Sequence, residues 1–120
     1  MNEFVFIIND VPPTANRMWR RNPRGGMYLT SEARAFVEEV AFAVKGARVP
    51  ESWKYCAVEI IVEPRRRSGD VDNRIKPTLD ALTKCGFWDD DDMVAFVSCC
   101  FGSVRGRTIV RITKRDAKFK

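Results

Sequence analysis

Pro50 and Pro64 bracket a run, Tyr55 to Glu63, whose residues suit an extended chain. Val58, Ile60 and Val62 fall on one face and Glu59, Ile61 and Glu63 on the other, so the run reads as a strand. A strand leaves its amide and carbonyl groups in need of partners, which commits the chain to a sheet. Glu3 to Ile8 reads as another strand, a buried one, closed by the turn signal Asn9-Asp10 and by Pro12-Pro13.

Two segments carry helical spacing instead. Thr30 or Ser31 caps a helix predicted to run to about Ala47, because Ala33, Phe36, Val37, Val40, Ala41 and Val44 share one face. A second helix is predicted from near Asp72 or Asn73 to Gly86, with Ile75, Leu79 and Leu82 as its apolar stripe. Pro77 has no amide proton and crowds the turn before it, so this helix must start late enough to hold Pro77 in its first turn, or kink there.

Met93 to Phe101 and Arg107 to Thr113 read as strands, and the turn-prone residues 102–106 between them predict an antiparallel hairpin. Between Pro13 and Leu29 the chain reads as an irregular loop, with Arg17, Arg20, Arg21 and Arg24 set around Trp19 and Tyr28. A loop that long points to function. At 120 residues and 45% hydrophobic content, the order of elements predicts one α+β domain over 1–120, a mixed sheet with two main helices packed on it.

The chain contains no histidine. Serine and cysteine triads, histidine zinc sites and imidazole bases are therefore excluded, leaving carboxylates, lysine or bound metal to do chemistry. The cysteines Cys56, Cys85, Cys99 and Cys100 form no C-x-x-C pair and read as reduced, mostly buried thiols. No membrane span or signal peptide is visible, which predicts a cytoplasmic protein.

The net charge of +5 hides a division. Seven of the 16 acids are Asp70, Asp72, Asp80 and Asp89 to Asp92, so the rest of the chain sets nine acids against 21 Lys and Arg. A basic body with one acidic patch suits a polyanion binder that also holds cations. Asp72, Lys76 and Asp80 lie at helical spacing on one edge of the second helix, and the aspartate run follows directly after Gly86-Phe87-Trp88. Taken singly, each acid reads as a helix cap, a solvated pair or a solvated turn. Together they suit magnesium or manganese, and metal-assisted hydrolysis of a phosphodiester, with Lys76 as a point charge on the phosphoryl oxygens.

The segment Gly69-Asp70-Val71-Asp72-Asn73-Arg74-Ile75-Lys76, the following Asp80-Ala81-Leu82, and Gly86-Phe87-Trp88-Asp89-Asp90-Asp91 resemble the RusA family of Holliday junction resolvases. Pro12-Pro13-Thr14-Ala15-Asn16 and Leu29-Thr30-Ser31-Glu32-Ala33 extend the resemblance over nearly the whole chain. Pro77 and Met93 depart from the family pattern. The resemblance implies a homodimeric, Mg2+-dependent endonuclease, with Mn2+ as an alternative ion and no organic cofactor, that resolves four-way junctions by paired symmetric nicks. It further implies Asp70, Asp72 and Asp91 as catalytic metal-binding carboxylates with Asp90 as a further metal residue, Lys76 as a catalytic phosphate contact, and Asn73 and Asp80 as supporting residues. Asn16 would order the loop or touch DNA. Arg17, Arg20, Arg21, Arg24, Arg65, Arg66 and Arg67 would follow the phosphates. Two rival readings stay open: the same chemistry on flaps or forks, and a non-catalytic basic DNA-binding module.

Overall fold

The computed structural model describes residues 2–66 and 69–117. Its strands are β1 (Glu3–Ile8), β2 (Trp19–Arg21), β3 (Met27–Leu29), β4 (Tyr55–Glu63), β5 (Val94–Phe101) and β6 (Arg107–Arg115), and its helices are α1 (Ser31–Val44) and α2 (Ile75–Lys84). The main sheet has the order β1-β6-β4-β5, with β6 antiparallel to both neighbours and β4 parallel to β5. A parallel pair cannot be closed by a tight turn, so α2 serves as the crossover between β4 and β5. The mixed sheet and two helices agree with the fold class read from the sequence.

Both helices cover one face of the sheet. Phe36, Val40 and Val44 of α1 and Leu79 and Leu82 of α2 are buried together with Phe6, Ile8, Val58, Ile60, Val62, Val110 and Ile112 of the strands. Thr30 is the cap of α1: its Oγ1 accepts from the Ala33 amide at 3.1 Å and donates to the Arg17 carbonyl at 2.7 Å. The helix stops three residues earlier than expected, because Lys45 turns left-handed with φ 54° and Gly46 follows at 75°.

The expected hairpin of β5 and β6 does not form, because β4 lies between them. Residues 102–106 wrap over the end of β4 instead of closing a turn. The Gly102 amide donates to the Val62 carbonyl at 2.9 Å and the Gly106 amide to the Glu63 carbonyl. The buried Glu63 carboxylate accepts from the Val104 amide and from the Arg107 guanidinium. A Cβ on Gly102 would lie 2.6 Å from the Glu63 carboxylate, so only glycine fits there. Turn-forming residues specify that the chain bends, and the acceptors at the end of β4 determine which strand it bends around.

Two further expectations are revised. The loop after Pro13 contains a 3-10 turn over Ala15–Arg17 and a separate β2–β3 hairpin. Asp72 and Asn73 lie in a 3-10 turn, Val71–Arg74, and α2 begins only at Ile75. Pro77 is thereby its third residue, where the missing amide proton has no helical partner to lose. As a result Asp72 and Lys76 are not related by a full α-helical turn, although Lys76 and Asp80 are.

The opposite face of the sheet is open. Cross-strand rows on it run Ile7–Ile109–Ile61–Cys100 and Val5–Arg111–Glu59–Ser98. Val5 and Ile7 are each 56% exposed, and Arg111 pairs with both Glu3 and Glu59. All four cysteines are free, and burial pushes the Cys56 thiol up to about 11. Cys100, in contrast to the expectation of burial, is exposed. Among the described residues no helix is long and apolar enough to cross a membrane.

Glu63 connects folding to pH. Its hydrogen bond from Arg107, aided by backbone amides, holds its carboxyl below the usual range despite burial. A carboxyl with a depressed folded pKa contributes stability that is complete above its unfolded pKa and lost as pH falls through the folded one. Urea unfolding of Glu63→Gln should therefore show a shallower loss of stability on acidification than the wild type, and a lower plateau at neutral pH.

Candidate active site

The chain leaves β4 through Pro64, Arg65 and Arg66 and turns into the 3-10 segment at Gly69, whose φ of +72° suits glycine. Asp70 follows in extended conformation as the cap position of that segment, without a side-chain capping bond. Asp70 and Asp72 are exposed, and among the described residues neither carboxylate has a hydrogen-bonding or ionic partner. The residue at the cap position of α2 is Arg74, whose side chain makes no capping bond, so neither Asp72 nor Asn73 is occupied as a helix cap.

On the other side of α2 the buried pair Phe87 and Trp88 sets the start of the aspartate run. Phe87 packs edge-on against Phe4 and Trp88 at centroid distances of 5.1 and 5.4 Å. The Trp88 indole donates to Thr83 Oγ1 at 2.7 Å. The run beyond them divides its tasks. Asp89 pairs with Arg48 at 3.0 Å. Asp90 accepts from the Asp92 amide at 3.1 Å and caps a 3-10 turn, Asp91–Met93. Asp91 turns inward, with its Oδ2 2.7 Å from Lys76 Nζ, while Asp80 Oδ1 lies 3.1 Å from the same ammonium.

Lys76, Asp80 and Asp91 are thus brought together, and Asp70 and Asp72 stand at the turn that leads into the same helix. Hydrogen bonds donated to Asp91 and Asp80 raise the Lys76 pKa, so the lysine is a fixed cation. Among the described residues no three carboxylate, thiol or imidazole groups lie close enough to enclose a metal ion. The available donors are hard carboxylate oxygens, and those of Asp70 and Asp72 are uncommitted, which fits a hard divalent cation.

A cleft of about 570 Å³ opens at Gly69 and Asn73, the residues next to Asp70 and Asp72 in the chain. Thr14, Asn16, Arg17, Arg65, Arg66 and Asn73 line it, so the early loop and the segment after β4 face one another across a common groove. Arg20, Arg21 and Arg24 are exposed on the β2–β3 hairpin or its turn. Arg67 lies outside the described residues. Two residues that shape this region escaped the sequence reading. Buried Arg74 donates to the Pro12 carbonyl and ties the Pro12-Pro13 segment to the acidic turn, its pKa lowered by that burial. Glu63 holds residues 102–106, whose Gly106 packs on Arg65. Neither contact has a periodic signal, since each links segments far apart in the chain.

The family described as Endodeoxyribonuclease RusA matches residues 10–113. The chain belongs to the RusA family. Among its relatives is the crossover junction endodeoxyribonuclease of Enterobacteria phage 82, 41% identical over 86 residues, which are 69% of this chain and 70% of the relative. The protein of the same name from Shigella sonnei is 40% identical over the same extent. The RusA resemblance read from the sequence is thereby confirmed.

Lys76 has a side chain 62% exposed, and ion pairs in that setting contribute little to stability. Lys76→Ala should change the unfolding free energy by less than about 1 kcal/mol in urea titrations. A larger loss would make the Lys76 pairs part of the folding framework rather than a local arrangement of charge.

Proposed function

We propose that this chain is a crossover junction endodeoxyribonuclease that resolves four-way DNA junctions by hydrolysing one phosphodiester in each of two strands. The observation that carries the reading is the fixed ammonium of Lys76 held by Asp91 and Asp80 on α2, whose leading turn bears the uncommitted carboxylates of Asp70 and Asp72. Family membership supplies the reaction class, and the names of the relatives point to the junction.

In this reading Asp70, Asp72 and Asp91, with Asp90, would hold Mg2+, or Mn2+, by converging from positions that do not enclose an ion among the described residues. A bound divalent cation supplies Lewis acidity that lowers the pKa of water and offsets charge on the departing oxygen. Asp80 and Asp91 orient the Lys76 ammonium toward a non-bridging phosphoryl oxygen, where it stabilises the added negative charge of the transition state. Water adds to phosphorus, the bond to the 3′ oxygen breaks, and the products are a 5′-phosphate and a 3′-hydroxyl. Arg17, Arg65 and Arg66, with Asn16 and Asn73, guide the strand along the cleft, and Arg20, Arg21 and Arg24 extend the basic surface. No organic cofactor is needed, and the protein works on DNA in the cytoplasm.

Asp72→Asn should bind a synthetic four-way junction with wild-type affinity and cleave it at least about a hundredfold more slowly in magnesium, as loss of a metal-holding group implies. Cleavage at the wild-type rate would overturn the catalytic assignment. Equal wild-type rates on junction, flap and linear duplex would leave a nuclease but remove the junction as its substrate.

Two nicks in one binding event require two sites, hence a homodimer. The open sheet face suits a second copy. Its Ile7–Ile109–Ile61 row is apolar, its charged residues Glu3, Glu59 and Arg111 already pair, and it lies opposite the helix layer. Four strands at about 4.8 Å spacing and some seven residues at about 3.3 Å rise make a plate of roughly 19 by 23 Å. That is roughly 440 Å², about half of the ~800 Å² per partner of a standard interface, so segments flanking the sheet would share the contact. Sedimentation equilibrium should give twice the chain mass for the wild type and a monomer for Ile7→Glu; a monomeric wild type would refute the dimer.

A further inference from the structure

The stretch from Trp19 to Leu29 is built as a projecting hairpin. Trp19 pairs with Leu29, Arg20 with Tyr28 and Arg21 with Met27. Asn22 closes the turn: its amide donates to the Gly26 carbonyl at 2.8 Å, and its Oδ1 accepts from the amides of Arg24 and Gly26 at 2.9 and 3.1 Å. Gly25 supplies the positive φ, +88°, that the turn requires. The base is anchored. Met18 is buried, its carbonyl accepts from the Thr30 amide at 3.1 Å, and the Lys84 ammonium sits 5.7 Å from the centre of the Trp19 ring.

Beyond that anchor the hairpin contributes nothing to the core. Tyr28 is 46% exposed and Met27 56%, and they share the element with Arg20, Arg21 and Arg24. From Ala15 to Ser31 the sequence has four arginines and no acid. Two-stranded hairpins are marginal in isolation, yet this one is held at both turn and base, with its apolar groups facing water. A flat aromatic ring with an arginine across from it on the same face matches the face of a nucleobase flanked by phosphates. In continuous duplex each base face is covered by its neighbours and only base edges are accessible from the grooves. Such a surface therefore finds a partner only where stacking is broken. Arg20 lies across from Tyr28 and donates to the Asn16 carbonyl at 3.1 Å, so the strip continues from the hairpin into the cleft that opens at Gly69 and Asn73.

We propose that the β2–β3 hairpin binds unstacked bases at the branch point of the DNA, with Tyr28 stacking on a base, Arg20 across from it on the same face, and Arg21 and Arg24 holding the adjoining phosphates. This rests on the reading of the chain as an enzyme of branched DNA, and identifies the element that recognises the branch.

The test compares Tyr28→Ala and Tyr28→Trp with the wild type, each without divalent metal so that the DNA stays intact. Affinity is measured for a four-way junction and for linear duplex of equal length at one salt concentration, with 2-aminopurine placed at the branch point. Tyr28→Ala should weaken junction binding about tenfold and duplex binding by less than about twofold, the span expected from losing one stacked base. It should also abolish the fluorescence change, and Tyr28→Trp should restore both. Circular dichroism checks that the exposed substitution leaves the fold intact. If wild type prefers the junction and Tyr28→Ala keeps that preference and the fluorescence change, the hairpin assignment fails while the proposed activity stands. Equal losses on junction and duplex also overturn it, reducing the hairpin to a phosphate contact. A wild type with no junction preference overturns both readings.

Discussion

Burial of Phe87 and Trp88 against the sheet is the constraint on which the rest of this arrangement depends. The α2 helix ends at Lys84, and the Phe87 amide reaches back to the Leu82 carbonyl at 3.0 Å, so the chain reverses within three residues. Both side chains are fully buried; Phe87 meets Phe4 and Phe6 of the first strand, and Trp88 packs on Phe87. Emptying a site of that size costs about 3–5 kcal/mol, a large share of a small domain's stability. The strength of that packing allows a run of four aspartates to begin at the next residue without fraying.

The charge distribution follows from the same geometry. Asp89, Asp90 and Asp91 are turned to different partners, Arg48, a backbone amide and Lys76, so four adjacent carboxylates need not face one another. Arg48 pairs with the aspartate run, whereas Arg17, Arg65 and Arg66 sit in the cleft and Arg20, Arg21 and Arg24 on the hairpin or its turn. A polyanion attracted by the basic surface is thereby brought to an acidic edge that repels it unless cations intervene, a suitable setting for metal-assisted hydrolysis.

Much of the fold was legible because local patterns determined it. The strand Tyr55–Glu63 has the predicted bounds, and Thr30 caps its helix as a threonine before an apolar stripe should. Pro77 forced α2 to start late, as its chemistry requires, although the 3-10 turn that precedes it had no distinctive spacing. The pairing of β5 with β6 was misread because residues 102–106 have ordinary turn composition, and their true anchor, Glu63, lies some 40 positions earlier in the chain. The hairpin at Trp19–Leu29 was taken for irregular loop because its strands are three residues each, too short for alternation to register.

For the candidate site, residue types and spacing were enough to single out Asp70, Asp72, Lys76, Asp80 and the aspartate run, because carboxylates without histidine leave few chemistries open. Four adjacent aspartates are equivalent in a sequence. Only the reversal at Phe87 and Trp88 decides that Asp91 meets Lys76, while Asp89 faces Arg48 and Asp90 serves as a cap. Likewise only the packing of Arg74 on Pro12 brings the early loop against the acidic turn and makes one groove of two basic segments. Local sequence determines which groups are present and how each element repeats. The burial of residues distant in the chain determines which of those groups face each other.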